Sequence, residues 1–397
     1  MTQSETVTAR TARWYDLFNR HAADLYPGRY TRIKVRELAE LSIRIEQLAQ
    51  LVGSTIATHF YTYPEFHELQ GGLLGDSLGL ARNVRDSGAT RVDFQSVFFM
   101  GETAKIIGGD AVRVFVGDTP DVISCSLVEG TDHAWVERWR ARHPDGIIIT
   151  YVNSDGYTKS ISDYICTSRN TDRVIAAAFG MLPEYTPDHA IPDRVLLLPD
   201  KYLGHVMAQR AAREFSVPTD RIDIYAHPHN GRNACCYVHE KIGADGPEQM
   251  LAEYPDAELL IHPECGCAAT CLLKVHSGVI PQDKAYFLST SQMLDHARRS
   301  KATHFLVGTE LGMIYYLRKM LPEKRFTPVS PNALCDFMKA NELWKLYRAL
   351  ELNTYEIVQC DDCCDPKRPL VTERTIHSPR SIIPGARLAI DRMLRVG

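Results

Sequence analysis

At 397 residues the chain is too long for one ordinary domain, and a content of 45% hydrophobic and 24% charged residues excludes a disordered or fibrous protein. A formal charge of -4 gives no field that would favour nucleic acid or an anionic membrane as the main partner, so an anionic ligand must be met by local groups. No apolar run approaches the roughly 20 residues of a membrane span, the opening MTQSETVTARTARWYDLF lacks the apolar core of a secretory signal, and eleven cysteines are an odd number for a disulfide framework. A cytoplasmic protein that uses some of its thiols as ligands is expected.

In chain order, Val35, Leu38, Leu41, Ile45, Leu48 and Val52 recur at helical spacing and predict an amphipathic helix over 35–52. From Ile56 onward, short β-rich runs alternate with helical stretches: IATHFY, SVFFMGE, VRVFVGD, IIITYVN, YICTS, RVLLLPD, RIDIYAH, AELLIHPE, KAYFLSTS, HFLVGTE and FTPVS. Continuous apolar strands followed by helices predict parallel sheets covered on both faces, with functional residues at the carboxyl ends of the strands. The runs fall into three groups, at about 56–117, 147–226 and 257–330, which suggests three similar α/β units; one large sheet is the alternative. The predicted organisation is a helical extension (1–55), three α/β domains (56–145, 146–255 and 256–350), and a tail (351–397) closed by the helix ARLAIDRML.

Three strand-to-helix turns carry small polar residues: GDSL (75–78), TSRN (167–170) and STSQ (289–292). Such residues serve as helix N-caps, or, with the helix N-H groups, as a cradle for phosphate or carboxylate. Strand ends also carry His59 and Tyr61, Tyr151 and Asn153, and His262 and Glu264, while His239 lies in CCYVHEK. These groups can move protons. Among the thiols, HPECGCAATC has the spacing C-x-C-x3-C, which is not a common zinc pattern, and CDDCC (360–364) holds C-x2-C, half a zinc pattern with no complement in the sequence. Exposed thiols and a metal or redox site are both open for that tail segment. The residues alone describe a thiol-rich α/β protein that binds an anionic metabolite.

Taken together and in order, HFY, GDSL, FMGETAKI, CSL, TYVN, CTSRN, LPDKYLG, CYVHE, DAELLIHPEC, STSQM, GTELGM and CDFMK resemble quinolinate synthase, the iron-sulfur enzyme family of de novo NAD biosynthesis, over about Ile56 to Leu350. The resemblance implies three pseudo-threefold-related αβα domains with mainly parallel sheets around a central 4Fe-4S cluster, one per chain. It places the three cluster ligands at Cys125 (ISCSL), Cys236 (CCYVHE) and Cys335 (LCDFMK). Cys235 makes the second position ambiguous by one residue, and the C-x2-H spacing to His239 favours Cys236. Cys265, Cys267 and Cys271 are not family ligands and are expected to pack.

The implied reaction condenses iminoaspartate with dihydroxyacetone phosphate, with loss of phosphate and two waters, and the open iron serves as Lewis acid. By position in the motifs, His59, Tyr61, Tyr151, His239, His262 and Glu264 would be catalytic; Ser77, Asn153, Ser168 and Thr290, together with His59, Tyr151, His262 and Glu264, would bind substrate. The pathway implies functional coupling to an L-aspartate-oxidising enzyme, and neither nucleic acid nor membrane is an expected partner. HFYT departs from the family's usual HYYQ by losing a phenol at Phe60, and Arg169 adds a cation beside a presumed anion cradle. Two other readings are another 4Fe-4S hydro-lyase acting on a small di-acid, and a non-catalytic metal-binding regulator.

Overall fold

The computed structural model describes residues 5–264, 266–361 and 363–397. It is an α/β protein with mainly parallel sheets, as expected. A first group of strands, β1 (Ser54–His59), β2 (Leu73–Gly75), β3 (Arg91–Gln95) and β4 (Arg113–Val116), lies side by side in the order β2-β1-β3-β4. β5 (Ile147–Tyr151), β6 (Tyr164–Cys166), β7 (Val195–Leu198) and β8 (Ile222–Ile224) form a second sheet in the order β6-β5-β7-β8. β9 (Glu258–Ile261), β10 (Ala285–Phe287), β11 (His304–Gly308) and β12 (Arg325–Pro328) form a third in the order β10-β9-β11-β12. The three orders are the same when each group is counted from its own first strand, and every pairing within them is parallel. Runs such as IIITY and VLLL are buried along their whole length, as strands covered on both faces must be.

Two strand expectations change. SVFFMGE is not a strand; Phe98–Gly108 is a helix whose residues pack on every side, so its apolar content carries no helical stripe. The strand beside it is RVDFQ, hidden in the sequence by two charges that pair in the interior, with Arg91 Nε 3.0 Å from Asp93 Oδ2.

Helices Val7–His21 and Arg32–Leu51 pack on the first and third sheets, where Trp14, Phe18, Val35 and Ile45 meet Ile56, Phe305 and Tyr315. The tail is more than a closing helix. β13 (Glu356–Cys360) adds antiparallel to β4, β15 (Thr375–Pro379) adds parallel to β13, and β14 (Leu370–Val371) edges the resulting seven-stranded sheet. The final helix, Ile383–Val396, then crosses to the second sheet, where Ala386, Ala389, Ile390 and Met393 join its core. That crossing depends on Gly385, because a Cβ there would sit 2.1 Å from the Ser160 carbonyl oxygen. Gly385→Ala is expected to cost about 1–3 kcal/mol through backbone displacement, read as a lowered thermal midpoint. Among the described residues no helix is long and apolar enough to cross a membrane.

Candidate active site at the meeting of three sheets

The repeated topology delivers equivalent residues to one place. The first strand of each unit leads into a polar pair: β1 into His59 and Tyr61, β5 into Tyr151 and Asn153, β9 into His262 and Glu264. The second leads into a helix N-terminus, at Ser77–Asp86, Thr171–Ala178 and Thr290–Arg299. The fourth strand of each unit is followed by a loop that ends in a cysteine: Cys125, Cys236 and Cys335 are the N-cap residues of the four-residue helices Ser126–Glu129, Tyr237–Glu240 and Asp336–Lys339. All thirteen site residues expected from the sequence line a single cavity of about 160 Å³. Cys236 is on that lining and Cys235 is not.

The three thiols share an environment. Burial raises each above the ordinary thiol range, Cys125 to about 12 and Cys335 to about 11, with Cys236 raised further by the neighbouring Glu264 charge and by the other two sulfurs. Helix N-H groups act in the opposite direction: those of Leu127 and Val128 at Cys125, His239 at Cys236 and Met338 at Cys335. Three half-buried thiols that resist ionisation, each aimed at by backbone donors that favour a thiolate, fit a cationic metal group, which ionises its thiol ligands outright. Cys236 Sγ, a His239 nitrogen and a Glu264 oxygen also lie within 4.8 Å of one another, a set able to hold a metal ion.

Next to Cys236 is a proton-handling cluster. Glu264 Oε1 accepts from Asn153 Nδ2 at 3.0 Å, and Oε2 lies 3.4 Å from His262 Nδ1 and 3.5 Å from His239 Nδ1. The two imidazoles stack at 5.3 Å between centroids. His262 Nε2 meets Ser168 Oγ at 3.2 Å, and His239 Nε2 meets Thr309 Oγ1 at 3.3 Å. Burial, with some repulsion from Asp200, pushes the Glu264 carboxyl up to about 8, so it keeps its proton at neutral pH. Burial lowers His59 to about 4, His239 to about 3, and His262 well below the usual range, so all three are neutral. Tyr61 and Tyr151 stay protonated because they are buried and face Glu264.

All three polar turns form cavity wall, and the first and third also cap their helices, whereas Asn170 in the second closes its own turn and makes no side-chain cap bond. Asp76 Oδ1 accepts from Gly79 N at 2.7 Å, Asn170 Oδ1 accepts from Thr167 N at 2.8 Å, and Ser289 forms a capping box with Gln292. Ser291 Oγ donates to Asp76 Oδ2 at 2.5 Å, tying the first turn to the third. Ser77, Ser168 and Thr290 face the cavity beside Arg82 and Arg169. In HPECGCAATC, Cys267 and Cys271 are fully buried in the core under β9, while Cys265 lies outside the described residues.

Thr309 was not legible as a site residue. A threonine after an apolar strand has no signature of its own, and its importance comes from folding Tyr61 and His239 onto one hydroxyl; Tyr61 Oη lies 2.7 Å from Thr309 Oγ1. Thr309→Val keeps the volume but leaves both partners without that oxygen. It is expected to lower kcat about tenfold while the protein stays folded, since an unmet buried donor costs about 1–3 kcal/mol. Lys339 is the second such residue. It is buried, pairs with Glu310 Oε1 at 3.0 Å and donates to Tyr61 O at 2.6 Å, so it holds the Tyr61 turn against the helix that carries Cys335.

Comparison with known proteins agrees with the geometry. Residues 43–395 match the family model of the quinolinate synthetase A protein. A quinolinate synthase of Pyrobaculum aerophilum is 34% identical over 354 residues, 89% of this chain and 98% of the relative. One from Thermus thermophilus is 31% identical over 367 residues, 92% and 99% of the two chains, and one from a Mycobacterium species is 34% identical over 321 residues, 80% and 86%. With a match that takes in all three sheets and every cysteine of the cavity, the chain belongs to the quinolinate synthetase A family of enzymes.

Proposed function

We propose that this enzyme condenses iminoaspartate with dihydroxyacetone phosphate to give quinolinate, releasing phosphate and two waters, in the cytoplasm and with a 4Fe-4S cluster held by Cys125, Cys236 and Cys335. The observation that carries this reading is the threefold recurrence of a cysteine at the same helix N-cap, all three opening onto one cavity. Held by three thiolates, such a cluster has one iron free to act as a Lewis acid on a substrate oxygen.

The chain's own residues supply binding and proton transfer. Ser77, Ser168 and Thr290, with their helix N-H groups and with Arg82 and Arg169, take the phosphate of one substrate and the carboxylates of the other. Asn153 Oδ1 is a buried acceptor with no hydrogen-bond partner among the described residues, and a substrate N-H or O-H satisfies it. Glu264 is the proton donor for departing hydroxide and, once ionised, the acceptor for carbon-bound protons. His262 and His239 border it as neutral relays, each oriented by a hydroxyl on its far nitrogen. Tyr61 and Tyr151 donate O-H hydrogen bonds to developing oxyanions.

The test is an anaerobic assay of cluster-loaded protein, with iminoaspartate generated from L-aspartate by an oxidising partner enzyme and dihydroxyacetone phosphate added. Quinolinate and inorganic phosphate are expected to form in equal amounts. Fully loaded protein that makes no quinolinate would overturn the substrate assignment.

A further inference from the structure

The tail thiols find their complement in the fold. β13 ends at Cys360, β15 carries His377, and the parallel register sets Val358 opposite His377 and Cys360 opposite Pro379. With a period of two, Cys360 and His377 lie on one face of the sheet, the half-buried outer one, while Ile357, Gln359, Ile376 and Ser378 face inward. The connection between the strands folds back so that Cys360 Sγ is 3.4 Å from Cys364 Sγ and Cys363 Sγ is 3.5 Å from His377 Nδ1. Donor atoms of Cys360, Cys363 and His377 lie within 4.8 Å of one another. The imidazole is also set from behind: Thr375 Oγ1 is 2.9 Å from Nε2 and is itself 2.6 Å from Thr372 Oγ1. With Nε2 as the donor to Thr375 Oγ1, the Nδ1 lone pair faces Cys363, the arrangement a metal-bound histidine takes from its outer hydrogen bond.

We propose that Cys360, Cys363, Cys364 and His377 form a four-coordinate zinc site, separate from the catalytic cavity, which none of the four lines. Zinc-sulfur bonds of about 2.3 Å and zinc-nitrogen bonds of about 2.0 Å give a tetrahedron with sulfur-sulfur edges of about 3.8 Å and sulfur-nitrogen edges of about 3.5 Å. Two of the six edges, Cys360–Cys364 at 3.4 Å and Cys363–His377 at 3.5 Å, are close to those lengths, and the Cys360–Cys363 edge opens when the disulfide is reduced. The sequence pattern, C-x2-C-C followed by a histidine on the neighbouring strand, supplies three thiolates and one neutral imidazole, a structural donor set with no open position.

In the structure Cys360 and Cys363 are joined as a disulfide. Metal loading therefore starts with a dithiol or phosphine reductant, which gives two electrons to the disulfide and becomes oxidised itself while the two sulfurs take up two protons. Zinc then displaces the protons of the three thiols. The bound ion would pin the connection 361–374 and the β13-β15 pair. Inside that pair, Gln359 Nε2 donates to Lys105 O at 3.3 Å, and Ser378 Oγ donates to Glu102 Oε1 at 3.0 Å. Glu102 in turn accepts from Gly156 N at 2.7 Å. The site thus braces the strap that joins the first sheet to the second.

The experiment uses cluster-loaded, phosphine-reduced protein exposed to zinc and then freed of loose metal. Wild type is expected to hold one zinc per chain beyond its iron and to gain at least about 3 °C in thermal midpoint. Cys363→Ser and His377→Ala are each expected to lose that zinc and that gain with their iron unchanged. Cobalt added to the reduced wild type provides a readout that needs no variant: intense visible d-d bands of a tetrahedral thiolate site. Absence of zinc from reduced wild type, a disulfide that persists and excludes it, or wild-type zinc content in both variants overturns the site.

Discussion

Replacing Cys125, Cys236 or Cys335 singly with serine is expected to cut iron from about four per chain to below about one, and to abolish quinolinate formation. Each of the three units contributes one of these thiols from the same structural position, the N-cap that follows the fourth strand. A serine hydroxyl ionises with far more difficulty than a thiol and is a poor match for iron, so two thiolates remain where three are needed. Cys271→Ser is the control. That thiol is fully buried in the apolar core and not on the cavity lining, so the change should lower stability by about 1 kcal/mol and leave iron content unchanged. Full iron content and turnover in any of the three cavity variants would reject the ligand assignment.

Glu264→Gln is the complementary change, expected to keep the iron and lose about 100- to 10,000-fold in kcat, the usual range for a general acid-base group. Glutamine retains the shape and can still accept from Asn153 Nδ2 at the Oε1 position. What it cannot do is release and retake a proton, the role proposed for the Glu264 carboxyl, which burial raises to about 8. Iron content measured alongside separates this loss from loss of the cluster. A near-normal kcat would remove Glu264 from the proton-transfer chemistry.

Part of the site was legible because several of its residues sit where one kind of sequence signal is strongest, at the polar end of an apolar strand. His59 and Tyr151 end β1 and β5, and His262 and Glu264 follow β9 in that way, whereas the three cysteines and His239 sit at short helices after loops and were legible through their motifs. The equivalence of the three units was weaker in the sequence than in the fold, since one of the twelve equivalent strands and the helix beside it carried misleading patterns. β3 hides behind the Arg91–Asp93 pair, and the neighbouring buried helix reads as a strand. Thr309 and Lys339 escaped because their roles are relations between distant segments: Lys339 reaches the Tyr61 carbonyl across 278 residues of chain. The same is true of His377. Nothing marks it as the partner of Cys363 until β13 and β15 are seen to pair in parallel.

The central claim is the identity of the group held by Cys125, Cys236 and Cys335, and it is tested most directly by iron and acid-labile sulfide analysis of anaerobically purified or reconstituted protein, with its visible spectrum. About four irons and four sulfides per chain, with broad sulfide-to-iron absorption, are the predicted result. Protein that takes up neither iron nor sulfide after reconstitution, with all three cavity thiols intact, would contradict the account.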